Sequence, residues 1–157
     1  MDLKNKKNDM KHLKLYEEFA TDIKLDIKKI MDNYLECAIW TDEERLKEEN
    51  TEGYEGDEVK DIIPEADLTI SNFSDNSKIK AYQDIKLFLK YAGDAVDGID
   101  EEQLGHDIWL SRNGHGAGFF DRGYDDDIEK RLMDSAHKIG GVNIYLGDDG
   151  LLYFSNE

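Results

Sequence analysis

The chain has 157 residues, 36% of them charged, and a formal net charge of −17. That length fits one domain, residues 1–157, with one real core, and 39% hydrophobic with 10% aromatic content sets it apart from disordered sequences. The single cysteine, Cys37, excludes an internal disulfide and fits a reducing compartment; no apolar run approaches the length of a membrane span; and the acid excess argues against direct nucleic-acid binding.

Residues 1–9 are polar and lysine-rich, with no apolar run behind them that would make a secretory signal. From Met10 apolar residues recur at threes and fours: Leu13, Tyr16, Phe19, Ile23, Ile27, Ile30, Met31, Tyr34, Leu35 and Ala38. This spacing predicts a long amphipathic helix, with room for one interruption, ending near Trp40 with Cys37, Ile39 and Trp40 in the core. Thr41-Asp42-Glu43-Glu44 is a capping-box pattern and predicts a second, short helix to about Glu48.

Residues 42–67 form an acidic, loop-rich insertion, with twelve acids against three cations. A charge run usually means a solvated face, but this one supplies about half of the chain's charge excess, enough to attract a basic partner from a distance. Glu43, Glu44, Glu48, Glu49, Glu52, Glu55, Asp57 and Glu58 are the candidate contact residues.

After an ambiguous stretch from Leu68 to Phe73, Ser74 or Asp75 opens a second amphipathic helix. Its stripe is Ile79, Tyr82, Ile85, Phe88, Leu89 and Ala92, and Gly93 stops it. Asp100 to Leu104 reads as a single capped turn.

The stretch from Gly105 to Gly123, GHDIWLSRNGHGAGFFDRG, has the chain's densest set of special residues. His106 to Arg112 reads as a strand entering an Asn113-Gly114 turn, the strongest short hairpin signal. Gly114, Gly116 and Gly118 then lie two apart, leaving one face of an extended arm bare for an aromatic ring, a helix or a ligand. Phe119 and Phe120 are expected to return to the core. The glycine spacing is not followed by the helix that a dinucleotide site needs. Trp109, Arg112, Asn113, His115, Asp121 and Arg122 complete the motif. His106, His115 and Asp121 could converge across the turn for acid–base or metal-assisted chemistry, although a structural hairpin accounts for the same residues.

Asp125 to Asp127 supply a cap and first-turn charge for a third helix, Ile128 to Ile139, stopped by Gly140-Gly141. Val142 to Leu146 and Leu151 to Phe154 flank a turn with Asp149-Gly150 and read as a second hairpin. The expected fold is α+β, with about three helices on one face of a small antiparallel sheet built from two C-terminal hairpins. Neither aspartate cluster matches the ligand spacing of a calcium loop, so no metal and no cofactor is expected.

The Gly105–Gly123 run, followed by a helix and then IYLGDDGLLYFS, resembles a widespread set of small proteins carried by phages, plasmids and other mobile elements. Ser111 stands where that set usually has threonine, and Phe120 where it has a second tryptophan. The resemblance covers the C-terminal third strongly and reaches Tyr34 to Trp40 more weakly. It implies an accessory gene working in a bacterial cytoplasm and carries over no catalytic residues.

Composition and resemblance together lead to an acidic, non-enzymatic binding protein. Its expected partner is a basic host protein, a nuclease or CRISPR effector whose nucleic-acid channel the acids would occupy. A small metal- or nucleotide-dependent hydrolase using His106, His115 and Asp121, and a purely structural or regulatory module, are the competing readings.

Overall fold

A computed structural model describes residues 25–51 and 68–157, with 49–51 as backbone only. Four helices carry the described chain: α1 (Ile27–Thr51), α2 (Asp75–Ala92), α3 (Glu101–Arg112) and α4 (Asp126–Ile139). One short antiparallel hairpin, β1 (Ile144–Leu146) and β2 (Leu152–Phe154), closes it, with Ile144 opposite Phe154 and Leu146 opposite Leu152. The α+β character expected from sequence holds in this coarse form. The count differs: four helices instead of three, and one hairpin instead of two.

The difference arises at residues 105–123. His106 to Arg112 belongs to α3, not to a strand. Asp100 caps that helix by accepting from the Gln103 amide at 3.2 Å, and Glu101 and Glu102 place negative charge in its first turn. The capped turn expected at 100–104 simply continues. Its period is hidden because eight of its twelve residues are buried, so no polar face marks it as helical. Asn113-Gly114 then ends a helix instead of turning a hairpin. Gly114 has φ +67°, its amide donates to the Ser111 carbonyl at 3.4 Å, and the His115 amide donates to the Leu110 carbonyl at 3.0 Å. That is the Schellman pattern, which demands the same left-handed glycine as a hairpin turn.

Gly105 lets α3 cross α1 closely. A β-carbon there would overlap the Ile30 carbonyl oxygen and lie 2.9 Å from the Tyr34 amide nitrogen. The resulting interface holds the core: the Tyr34 and Trp109 rings meet edge to face at 5.3 Å, and Phe154 from β2 packs 6.1 Å from the Trp109 ring. Phe73 stacks on Phe154 at 5.3 Å and pairs with Leu152 in a parallel bridge, which fastens the start of α2 to the hairpin.

The first helix does not stop at Trp40. It runs on through Thr51, so Thr41 opens no second helix; its hydroxyl donates to the Ala38 carbonyl at 3.2 Å. Pairs one turn apart, Asp42 with Arg45 and Glu43 with Lys47, support the continuation, and Leu46 is buried beneath them. The part of the expected first helix before residue 25, and the acidic segment 52–67, lie outside the described residues. Three placements are corrected by exposure: Trp40, Ile79 and Phe120 face outward instead of joining the core. Cys37 and Ile39 are buried as expected. The third expected helix is α4, opened at Asp125 and carrying Asp126, Asp127 and Glu129 in its first turn and His137 and Lys138 in its last. Among the described residues no helix is long and apolar enough to cross a membrane.

Candidate functional site

The helical half of the motif that dominates the sequence is turned inward, whereas Phe120 to Gly123 lie at the surface. Arg112 projects from the last turn of α3, and its side chain is fully buried. Its Nη1 donates to the Tyr34 hydroxyl at 2.7 Å and to the Asp84 carboxylate at 2.8 Å; its Nε donates to the Gly140 carbonyl at 2.7 Å and its Nη2 to the Ile139 carbonyl at 3.1 Å. One guanidinium thus ties α1, α2 and the end of α4 to α3, using the fan of donors that only arginine has. Lys80 pairs with the same Asp84 at 3.1 Å.

Asp107 and Arg122 make a second link, buried at its carboxylate end and open to solvent at the guanidinium. The Asp107 side chain has no exposed surface, and Arg122 reaches it with Nε at 3.1 Å and Nη2 at 2.8 Å. Trp109 donates its indole N–H to Thr41 at 2.8 Å. Asn113 donates to the Trp109 carbonyl at 3.0 Å and accepts from the Val142 amide at 2.8 Å. Ser111 accepts from the Phe119 amide at 3.2 Å, and Gly118, at φ +141°, packs so tightly on the Ser111 hydroxyl that a side chain would overlap it. Phe119 then stacks on Phe88 with ring centroids 5.6 Å apart.

The bare glycine face expected under a ring or ligand does not form. Around Gly114 and Gly116 nothing lies within 4 Å of where a β-carbon would sit, and only Gly118 packs closely. The candidate chemistry residues are placed as follows. Asp121 accepts from the Gly118 amide at 3.3 Å and lies 4.0 Å from the Arg122 Nε. His106 sits half-buried in α3, where its backbone carbonyl accepts from the Cys37 thiol at 3.8 Å, and His115 sits half-buried in the loop after α3. Among the described residues no three His, Cys, Asp or Glu side chains group as metal ligands. Cys37 is a buried core thiol; burial pushes it up to about 12, and the charges of Asp107 and Asp42 act the same way, which favours the protonated form.

Of the candidate contact acids, Glu43, Glu44 and Glu48 fall on α1, and Glu49 is in α1 with its side chain not described. Glu52, Glu55, Asp57 and Glu58 lie outside the described residues. Glu44 and Glu48 are exposed, whereas Glu43 is half-buried and pairs with Lys47 at 3.0 Å. Two cations of the block are occupied on the protein itself: Arg45 donates to the Ile144 carbonyl at 2.9 Å and pairs with Asp42 at 3.4 Å, and Lys47 pairs with Glu43.

Sequence reasoning missed Tyr34, Asp84 and Thr41, the distant partners of Arg112 and Trp109, because no local pattern joins them. It also missed the outward Trp40. There a signal existed: Glu36, Trp40, Glu44 and Glu48 recur every four residues, a spacing that puts an indole among carboxylates on one helical face. No protein-family model, curated protein or solved structure matches the chain.

Proposed function

We propose that this chain is an acidic accessory protein of a mobile element that binds a basic host protein and inhibits it. The partner class is a nucleic-acid-handling defence enzyme, a nuclease or CRISPR effector, whose cationic channel the acidic surface occupies. The observation that carries the reading is the excess of carboxylates: a net charge of −17, with Glu36, Glu44 and Glu48 exposed along the solvent side of α1. Enzymes that grip nucleic acid present basic channels, because neutralising phosphates drives their affinity, and a dense carboxylate face complements such a channel. The resemblance of the Gly105–Gly123 run to mobile-element proteins supports the setting. The hydrolase reading has less support, since Asp121 is engaged by the Gly118 amide and Arg112, Asp107 and Arg122 are held in ion pairs within the fold.

The test is capture followed by inhibition. Tagged protein, and a variant with Glu48, Glu49, Glu52, Glu55 and Glu58 changed to lysine, are incubated with nuclease-treated bacterial lysate at low and moderate salt. The expected result is capture of a basic nuclease or CRISPR effector by the native chain alone, weaker as salt rises, with loss of that enzyme's activity on adding the purified protein. Equal capture by the lysine variant, or a captured enzyme that stays fully active, overturns the reading.

A further inference from the structure

Trp40 is 77% exposed, at the centre of a long helix whose other large apolar residues face the core. Its neighbours one turn away on either side, Glu36 and Glu44, are both exposed. A groove of about 360 Å³ runs beside the indole between α1 and the turn at Ile70–Asn72, floored by Ile39, Leu68 and Ile70 and edged by Glu36 and Glu43. Among the described residues nothing pairs with Glu36 or Glu44. An exposed tryptophan costs solvation and, in a chain this acidic, does nothing for solubility.

We infer that Trp40, with Glu36 and Glu44, forms the anchor point for an arginine side chain of a basic protein partner. This rests on the proposed function and names where and how the partner is held. The chemistry follows from the three side chains. A guanidinium lies flat on an indole face through cation–π attraction, and its edge N–H groups remain free to bond carboxylates. Carboxylates one helical turn on either side of the ring supply those acceptors. The arginine's methylene stem then lies along the groove over Ile39 and Ile70. A nucleobase could stack on the same ring, but its phosphates would meet Glu36, Glu43 and Glu44. A second copy of this chain would bring the same charge to the interface. Trp and Arg are also the residue types that most often dominate interface energies.

The experiment uses the full chain and two synthetic peptides of equal charge, one built on arginine and one on lysine, each spaced by glycine and serine. Affinity is measured for the native chain, Trp40→Ala, Trp40→Phe and the charge-removing pair Glu36→Gln/Glu44→Gln. Thermal midpoint, and the emission of the remaining Trp109 in the two Trp40 variants, confirm folding. The expected result is tighter binding of the arginine peptide by the native chain, with a shift in Trp40 emission on binding. Trp40→Ala, at unchanged charge, should lose about fivefold to thirtyfold in affinity and most of the arginine preference. Trp40→Phe should keep part of both. If Trp40→Ala binds both peptides as the native chain does, the anchor is wrong while the acidic-surface reading stands. If the native chain binds neither peptide at moderate salt, both are wrong. Sedimentation showing a native dimer that Trp40→Ala dissociates also overturns the inference, because the ring would then be covered by a second copy.

Discussion

The carboxylate of Asp107, buried on α3, is gripped by two parallel hydrogen bonds from Arg122, fifteen residues further along the chain. The pair closes the segment that leaves α3, passes the Gly118 contact and enters the Phe119–Asp121 turn. Arg122→Ala should therefore leave a charge buried without its partner and lower stability by about 2–3 kcal/mol, less than the ~3–5 kcal/mol of fully buried pairs because water still reaches the guanidinium. Asp107→Asn in the same chain should recover part of the loss. Urea denaturation of the two single variants and the double variant measures the coupling.

Arg112 should be the costliest single polar residue to replace. Arg112→Met strands the Tyr34 hydroxyl and the carbonyls of Ile139 and Gly140, while Lys80 still serves Asp84. The expected loss is about 3–5 kcal/mol. Arg112→Lys restores the charge but not the fan of donors and should recover only a fraction. Thermal unfolding of both variants gives the comparison.

The glycines of the motif should separate into two classes. Gly105→Ala pushes a methyl into the backbone of α1, which cannot yield as a flexible side chain would, and should cost at least ~1–3 kcal/mol. Gly116→Ala meets open space at a backbone position without positive φ, and should be neutral or stabilise by up to ~1 kcal/mol. A hairpin buried under a ring would have shown the opposite sensitivity at residue 116. Denaturation midpoints of the two variants decide it.

Stability should fall at alkaline pH. Burial raises the Cys37 thiol to about 12, from an ordinary value of 9.0, and burial also raises the Tyr34 hydroxyl, against the opposing pull of Arg112. Because the folded values lie above the unfolded ones, the folded chain keeps protons that the unfolded chain gives up. The stabilisation is whole below pH 9 and is lost as pH rises toward 12. Urea midpoints at pH 8, 10 and 11 should decline in that order. At pH 8 the native thiol should react with iodoacetamide slower than in the unfolded chain by on the order of a hundredfold or more.

Much of this fold is written locally. The inward Ile85, Phe88, Leu89 and Ala92 of α2 with its Ser74 cap and Gly93 stop, the charged ends of α4, the Asp149-Gly150 turn between the strands and the inward Ile30, Tyr34 and Ala38 of α1 all follow from spacing and end chemistry. These elements each have one wet and one dry side, or a turn with a single solution, so short-range rules suffice. The motif from Gly105 to Gly123 was conspicuous in sequence, but its conformation was not legible there. A helix enclosed on nearly every side shows no period, and Asn-Gly serves a helix end as well as a hairpin. Tertiary packing settled both, through the crossing at Gly105 and the distant partners Tyr34, Asp84 and Thr41. The sequence by itself determined the charge of −17 and the four-residue spacing that sets Trp40 among carboxylates. Only the tertiary structure decided that Trp109 is enclosed while Trp40 is left to solvent, because burial depends on which helix faces meet, and no local pattern encodes that.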